Sequence, residues 1–73
     1  MDYGIIASGP IVNNTFRIVL RDLGNEWVTH IQYFIPGGED IFEEGHYFSK
    51  DRYLMAVKDF TERTYKVCEN AEF

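Results

Sequence analysis

The stretch TFRIVLRDLGNEWVTHIQYF, residues 15–34, predicts a β-hairpin. Its halves, residues 15–22 and 26–34, are rich in the β-branched and aromatic residues that strands favour. Gly24 and Asn25 lie between them and suit a tight turn that needs a positive φ. With these two residues as the turn, three pairs of residues face each other across the hairpin: Leu20 with Thr29, Ile18 with Ile31, and Phe16 with Tyr33.

This register separates the hairpin into two faces of different character. The six paired residues form one largely apolar face. The opposite face carries Arg17, Val19, Arg21, Val28, His30 and Gln32. A slip of one residue would exchange the two faces, so the apolar set supports the register. We expect the second face, including His30, to be solvated.

The spacing of apolar residues changes at residue 49, from alternation to helical periodicity. Residues 45–48 are short and aromatic and predict a final strand, and residues 50–68 predict a helix. Ser49 is the expected N-cap, and Asp51 in the first turn would suit the helix dipole. The apolar stripe of the helix is predicted to contain Tyr53, Leu54, Val57, Phe60, Thr64 and Cys68.

The fold class that follows is α+β. We expect one domain, residues 1–73, with a small antiparallel sheet of three to four strands around the central hairpin 15–34. One C-terminal helix, at about residues 50–68, packs on the apolar face of that sheet. Residues 3–7 predict a short first strand, residues 11–12 an edge strand, and Asn13 and Asn14 a turn.

Charge and composition exclude several classes of partner. The 73 residues include seven basic and twelve acidic side chains, a net charge of −5, which disfavours nucleic acid and anionic membranes. A basic protein partner fits this charge. The aromatic content of 16% is high for so short a chain, so some rings should lie at the surface, where a partner or a second copy would cover them.

Cysteine usage and hydropathy bear on the compartment. A single cysteine, Cys68, allows no internal disulfide, which a secreted domain of this size would need. The sequence shows no leader pattern and no apolar run of about 18 residues. These features predict a cytoplasmic protein without a membrane segment.

The strongest candidate site is the acidic segment, residues 39–44. Glu39, Asp40, Glu43 and Glu44 would attract a basic protein surface, and Phe42 among them would be an apolar anchor. One alternative is a solvated loop from which Ile41 and Phe42 point into the core. Another is a divalent cation site completed by His46, although the spacing does not match an EF-hand loop.

Enzymatic residues are not indicated. His30 and His46 are candidate general bases, but neither has a nucleophile beside it in the sequence pattern. Cys68 falls near the C-terminal end of the predicted helix, where a thiolate is not stabilised, and fits a buried structural role. No phosphate loop, dinucleotide fingerprint, G-x-S-x-G or H-E-x-x-H occurs. We predict no catalytic residue, metal or cofactor.

Three functions remain for such a domain. The first is a non-enzymatic interaction module, a regulator or inhibitor that docks on a basic protein surface, as small acidic proteins of bacteria and phages can. The second is a homo-oligomeric structural protein that pairs through a sheet edge or an aromatic surface. The third is a small-ligand or metal-binding domain.

Overall fold

The computed structural model describes residues 3–71 and has the predicted α+β fold. Among these residues, four antiparallel strands form one sheet, in which each strand pairs with its neighbour in the chain, and a single helix packs on one face. The elements are β1 (Ile5–Ser8), β2 (Phe16–Asp22), β3 (Glu26–Tyr33), β4 (Ile41–Ser49) and α1 (Tyr53–Glu69).

The central hairpin, β2 and β3, has the register that the sequence predicts. Leu20 pairs with Thr29, Ile18 with Ile31, and Phe16 with Tyr33. Gly24 in the turn has a φ of 90°, which an L side chain rarely adopts. The turn is closed by the Leu23 amide, which donates to the Glu26 carbonyl at 3.0 Å.

The N-terminal segment reaches the hairpin by a short strand and a turn. β1 lies along the free edge of β2, with an irregularity between Ile5 and Ala7. Val12 forms an isolated bridge with Phe16 instead of a full edge strand. The predicted turn is confirmed, because Asn13 and Asn14 both have positive φ, at 51° and 58°.

The last strand is longer than the predicted residues 45–48. β4 begins at Ile41, so much of the acidic segment belongs to the strand. Between the pairs Thr29–His46 and Ile31–Glu43, two residues of β4 oppose one of β3, which is a β-bulge. The bulge contains Glu44, with a φ of 52°, and Gly45.

Gly45 is required by close packing at the bulge. A Cβ atom there would lie 2.7 Å from His30 Nε2 and 2.8 Å from a ring carbon of Tyr47. Real Cβ atoms do not approach other heavy atoms so closely, so a larger residue would displace one of the two rings. The bulge therefore makes the space that these rings occupy.

The predicted start of the helix is wrong by about one turn. Ser49 is the last residue of β4, and its hydroxyl donates to the Asp51 carboxylate at 2.6 Å instead of capping a helix. Arg52 occupies the N-cap position without a side-chain cap hydrogen bond, and Asp51 precedes the first turn. The β4–α1 connection is a turn, which delays the helix to Tyr53.

A clamp around Trp27 holds this turn against the hairpin. The indole Nε1 donates to the Lys50 carbonyl at 2.9 Å, and the Lys50 ammonium lies 3.5 Å from the centre of the indole ring. The same ammonium is 2.5 Å from a carboxylate oxygen of Asp22. The Tyr53 ring packs on Trp27 at a centroid distance of 4.7 Å. The start of α1 is thereby fixed to the hairpin end.

The helix packs on the predicted apolar face of the sheet. Ile18 and Leu20 on that face are 1% and 2% exposed. The centre of the helix contact is Ala56, which is fully buried, and the predicted stripe residue Leu54 is 79% exposed. The prediction for Leu54 is wrong because the helix face toward the sheet includes polar residues, Asp59 and Arg63, that hydrophobic periodicity assigns to solvent.

The buried Ala56 and the exposed Leu54 make a matched test of this helix orientation. Ala56→Leu should reduce the free energy of unfolding by about 1–3 kcal/mol, because the added carbons have no space between helix and sheet. Leu54→Ala should change it by less than about 0.5 kcal/mol. Urea unfolding followed by circular dichroism measures both. The reverse ranking would show that the helix is rotated from this position.

Candidate functional site

The acidic segment presents three carboxylates to solvent. Glu39, Glu43 and Glu44 are exposed, and none of them forms a salt bridge with any residue from 3 to 71. Asp40 differs, since it is half-buried and accepts a hydrogen bond from Gln32 Nε2 at 2.9 Å. The predicted acidic site thus divides into three free charges and one carboxylate bound to the sheet.

Phe42, the predicted anchor of that site, lies against the sheet. It is half-buried, and the Arg21 guanidinium carbon stacks 4.0 Å from the centre of its ring. Tyr3 meets the same ring edge-on at a centroid distance of 4.9 Å. The exposed apolar residues of β4 are Ile41 and Tyr47, which are 44% and 57% exposed. These two are more exposed than Phe42, whose role as an anchor stays a prediction.

His46 is directed away from the acidic segment, toward the helix. Its Nδ1 lies 2.9 Å from a carboxylate oxygen of Asp59, which is on α1. No group of three His, Cys, Asp or Glu side chains converges anywhere in the described residues in a way that would hold a metal ion. The proposed cation site of His46 with the acidic segment therefore has no geometric support.

Asp59 is the centre of a polar network between helix and sheet. It accepts a hydrogen bond of 2.5 Å from the Thr29 hydroxyl, in addition to its contact with His46. Arg63 Nη1 donates to both the carbonyl and the hydroxyl oxygen of Thr29, at 3.0 and 2.9 Å. Because Thr29 is fully buried, these bonds satisfy polar groups that would otherwise be costly.

An imidazole oriented by a carboxylate is one half of a general-base arrangement. The other half, a nucleophile directed at the imidazole, is not formed by Thr29, because its hydroxyl proton points to Asp59. The network instead fixes α1 on β3 and β4. Its chemistry fits a structural tie between helix and sheet.

The side of the sheet opposite α1 has no helix or strand packed on it within residues 3–71. We call it the helix-free face, made of Arg17, Val19, Arg21, Val28, His30, Gln32, Phe42 and Tyr47. The expectation that it is solvated is wrong at its centre. Val19 and Val28 are fully buried, and His30 and Gln32 are 6% and 2% exposed. Phe42, Tyr47 and Arg21 contact the His30 ring, and Arg17 contacts Gln32.

His30 is held as a neutral imidazole under this cover. Arg21 Nη1 donates to Nδ1 at 3.2 Å, which leaves the proton on Nε2, 3.5 Å from the Tyr47 hydroxyl. Burial lowers the pKa of His30 below its usual value of 6.5, and the positive charges of Arg21 and Arg63 lower it further. His30 is thus a packed core residue and not a solvated base.

A row of three polar side chains crosses the same face. Arg17 Nε donates to Gln32 Oε1 at 2.7 Å, and Gln32 Nε2 donates to Asp40 Oδ2 at 2.9 Å. Arg17 also donates to the Ser8 hydroxyl at 3.2 Å. Neither Arg17 nor Asp40 has an oppositely charged partner among the residues described. The row therefore has a positive end on β2 and a negative end beside β4.

Two clefts on the surface bring few reactive side chains together. One of about 380 Å³ is open to solvent and is lined by Gly4, Ile5, Ile6, Asp22 and Gly24. Its carboxylate, Asp22, is already bound by Lys50 and by the Gly24 amide. A second cleft, of about 210 Å³, lies beside Asp59 and is lined by Phe48, Met55, Lys58 and Glu62. We find no converging set of reactive groups in either.

Comparisons with protein-family models, with curated proteins and with solved structures found no match. Within residues 3–71, α1 is too short and too polar to cross a membrane. We therefore infer function from the geometry of the surface. Two features stand out there: the exposed carboxylates of residues 39–44, and the arginine and aromatic layer of the helix-free face.

The lowered pKa of His30 predicts a stability that depends on pH. The unfolded chain binds a proton at His30 more readily than the folded chain does, so stability should fall as the pH decreases through about 6.5 toward the lowered folded value. The His30→Gln variant should not show the part of this decline in stability that His30 causes, because an amide can form both hydrogen bonds and does not titrate. Urea unfolding at a series of pH values above about 5 measures the effect.

The control for this prediction is His46→Gln, at a histidine whose side chain is half exposed. This variant should retain the decline that His30 causes. If wild type and His30→Gln lose stability in parallel over this pH range, His30 is not the group responsible.

Proposed function

We propose that this chain is a non-enzymatic protein-interaction module, a regulator or inhibitor that docks through residues 39–44 on a basic protein surface. The observation that carries the proposal is the set of three exposed carboxylates, Glu39, Glu43 and Glu44, without ion-pair partners among residues 3–71. Unpaired like charges within six positions repel one another, and a basic partner would relieve that repulsion.

Three other acidic side chains are engaged by a basic residue. Asp22 is paired with Lys50, Asp59 with His46, and Glu62 lies 3.9 Å from Lys58. The Lys50 contact lowers the pKa of Asp22, which keeps that carboxylate charged and bound. Among residues 3–71 the remaining acids without a salt bridge lie apart in the sequence (Glu26, Asp51 and Glu69). The acidic segment therefore holds the densest group of exposed, unpaired carboxylates.

The geometry of β4 favours contact through side chains. β4 is an edge strand, but its bulge at Glu44 and Gly45 interrupts the regular backbone positions that an added strand would need. Acidic residues on an edge strand also oppose pairing with a second copy of the same strand. A partner would thus meet carboxylates and apolar side chains, with Asp40 and Phe42 holding the segment on the sheet.

A cytoplasmic location belongs to the same proposal. The sequence has one cysteine, Cys68, which is half-buried and forms no disulfide. A domain of this size without a disulfide fits a reducing compartment. Basic proteins, including those that bind nucleic acid, are abundant there.

Charge reversal tests the docking site directly. Three forms of the full chain serve as bait in native lysate: wild type, a Glu39→Lys, Glu43→Lys, Glu44→Lys variant, and a control. We expect wild type to capture a basic protein at low salt and to lose it at high salt, because screening weakens the attraction. The variant should capture none of it. Mass spectrometry of the retained proteins gives the measurement.

The control carries the same change of net charge at other exposed acids, Asp51→Lys, Glu62→Lys and Glu69→Lys. It should retain the wild-type partner, because its substitutions lie outside residues 39–44. An identical set of captured proteins for all three forms would reject the acidic docking site. Loss of the partner from the control as well would show that net charge, and not this segment, governs capture.

A further inference from the structure

We propose that the helix-free face is the interface of a two-fold symmetric dimer, and that a second copy of this chain covers it. The molecule is a slab of 34 × 28 × 17 Å, with one helix on one side of one sheet. Two copies joined at their sheets would make a helix–sheet–sheet–helix arrangement, in which each sheet has both faces covered. Asp40 belongs to both proposed surfaces, but the dimer does not use Glu39, Glu43 or Glu44, so the two proposals are tested by different substitutions.

The composition of the face suits a protein interface. Tyrosine, phenylalanine and arginine are enriched at the centres of interfaces, and here they form the outer layer over the sheet. Tyr47 is 57% exposed, and Phe34 lies under the Arg17 guanidinium at 5.5 Å. The aromatic rings cover a wide area at a small cost in side-chain entropy.

The charges of the face are arranged for self-complementarity. The row Arg17–Gln32–Asp40 runs across the strands from a positive to a negative end. Gln32 joins the two ends and is itself 2% exposed. Neither end is neutralised by a salt bridge inside the described part of the chain. Two such rows attract each other when they lie face to face in opposite directions.

A two-fold axis parallel to β3 and above it produces that arrangement. The two-fold rotation places β2 of one copy over β4 of the other. It leaves each residue at the same position along the strand direction, which we call its height. Arg17 and Phe42 both pair with Gln32, so they lie at one height. The Asp40 carboxylate reaches the same height, since it contacts Gln32. Arg17 of each copy would therefore meet Asp40 of the other.

The same two-fold rotation also brings an aromatic residue of one copy into contact with an arginine of the other. Arg21 and Tyr47 are level with each other because both pair with Val28. Arg21 of one copy then lies over Tyr47 of the other, a favourable arrangement of a guanidinium on an aromatic ring. The ion pair and this stack are each formed twice, as an isologous interface requires.

The area of overlap predicts a weak dimer. With the axis above β3, the strands β2, β3 and β4 of the two copies overlap, and β1 extends beyond the overlap. Strands about 4.8 Å apart with a rise of about 3.3 Å per residue give a three-stranded overlap of about 14 × 23 Å. Two such faces cover about 650 Å² in total, which is below the range of stable interfaces and fits a weak, transient dimer. The experiment must therefore extend to high concentration.

Sedimentation of the full chain from about 5 to about 500 µM tests the dimer. We expect the mass to rise with concentration from 8.6 kDa to twice that value. Arg17→Glu alone and Asp40→Lys alone should both remain monomeric, because each places like charges together twice. A mixture of the two variants in equal amounts should dimerise, since one introduced pair and one native Arg17–Asp40 pair then form.

Two control variants carry equal charge changes on the outer surface of α1. Lys58→Glu and Glu62→Lys are at side chains that are 77% and 62% exposed, and both should dimerise as wild type does. Thermal unfolding verifies that each variant is folded. If a single variant does not fold, the double variant Arg17→Glu, Asp40→Lys replaces it. In this double variant the side-chain amide of Gln32 can flip, so that it still bonds to both ends of the row with their charges exchanged. We expect the double variant to dimerise.

Three results would overturn the proposal. The first is a mass of 8.6 kDa for wild type at every concentration, which would leave the face to solvent or to another protein. The second is a wild-type dimer that both single variants retain, which would place the interface on another surface. The third is a mixture that stays monomeric while wild type dimerises, which would show that Arg17 does not meet Asp40.

Discussion

The register of the β2–β3 hairpin is the constraint on which the rest of the structure depends. It places Ile18, Leu20 and Thr29 on one face and Arg17, Arg21 and His30 on the other. A slip of one residue would put the arginines beneath the helix and remove Thr29 from the reach of Asp59. Burying unpaired guanidinium groups would cost far more free energy than the turn contributes to stability. The helix can therefore dock on one register only.

The second consequence of this register is a sheet face on which residues 3–71 pack no helix. The one helix of the described part of the chain lies on the other face, and long side chains contact the centre of the helix-free face. Arg21 carries much of that cover, because it stacks on Phe42 and donates both to the Tyr3 carbonyl and to His30. Its aliphatic stem shields apolar surface while its polar end satisfies buried acceptors.

The sequence was informative where the structure depends on neighbours in the chain. The turn at Gly24 and the alternation around it predicted the hairpin register, the α+β class and the face that the helix covers. Leu54 was misplaced because Asp59 and Arg63, which bond to Thr29, make the true contact face partly polar. Hydrophobic periodicity treats such residues as solvent-facing, and the identity of a distant hydrogen-bond partner is not encoded in it.

The burial of His30 beneath aromatic side chains could not be predicted for a related reason. Phe42 and Tyr47 are five positions apart, and a regular strand would place them on opposite faces. The bulge adds one residue between them, so both rings lie on the helix-free face beside His30. Gly45 was the available signal in the sequence, since a glycine inside a strand often marks a bulge or a close approach of other groups.

The bulge also allows the two proposed surfaces to coexist on one small domain. It interrupts the backbone edge of β4, so residues 39–44 can present carboxylates without recruiting another strand. It turns Tyr47 onto the helix-free face, where that ring completes the arginine and aromatic layer. The carboxylate of Asp40 is held in the row with Arg17, while Glu39, Glu43 and Glu44 remain at the rim. One inserted residue thus separates a charged rim, suited to a basic partner, from a flat face suited to a second copy.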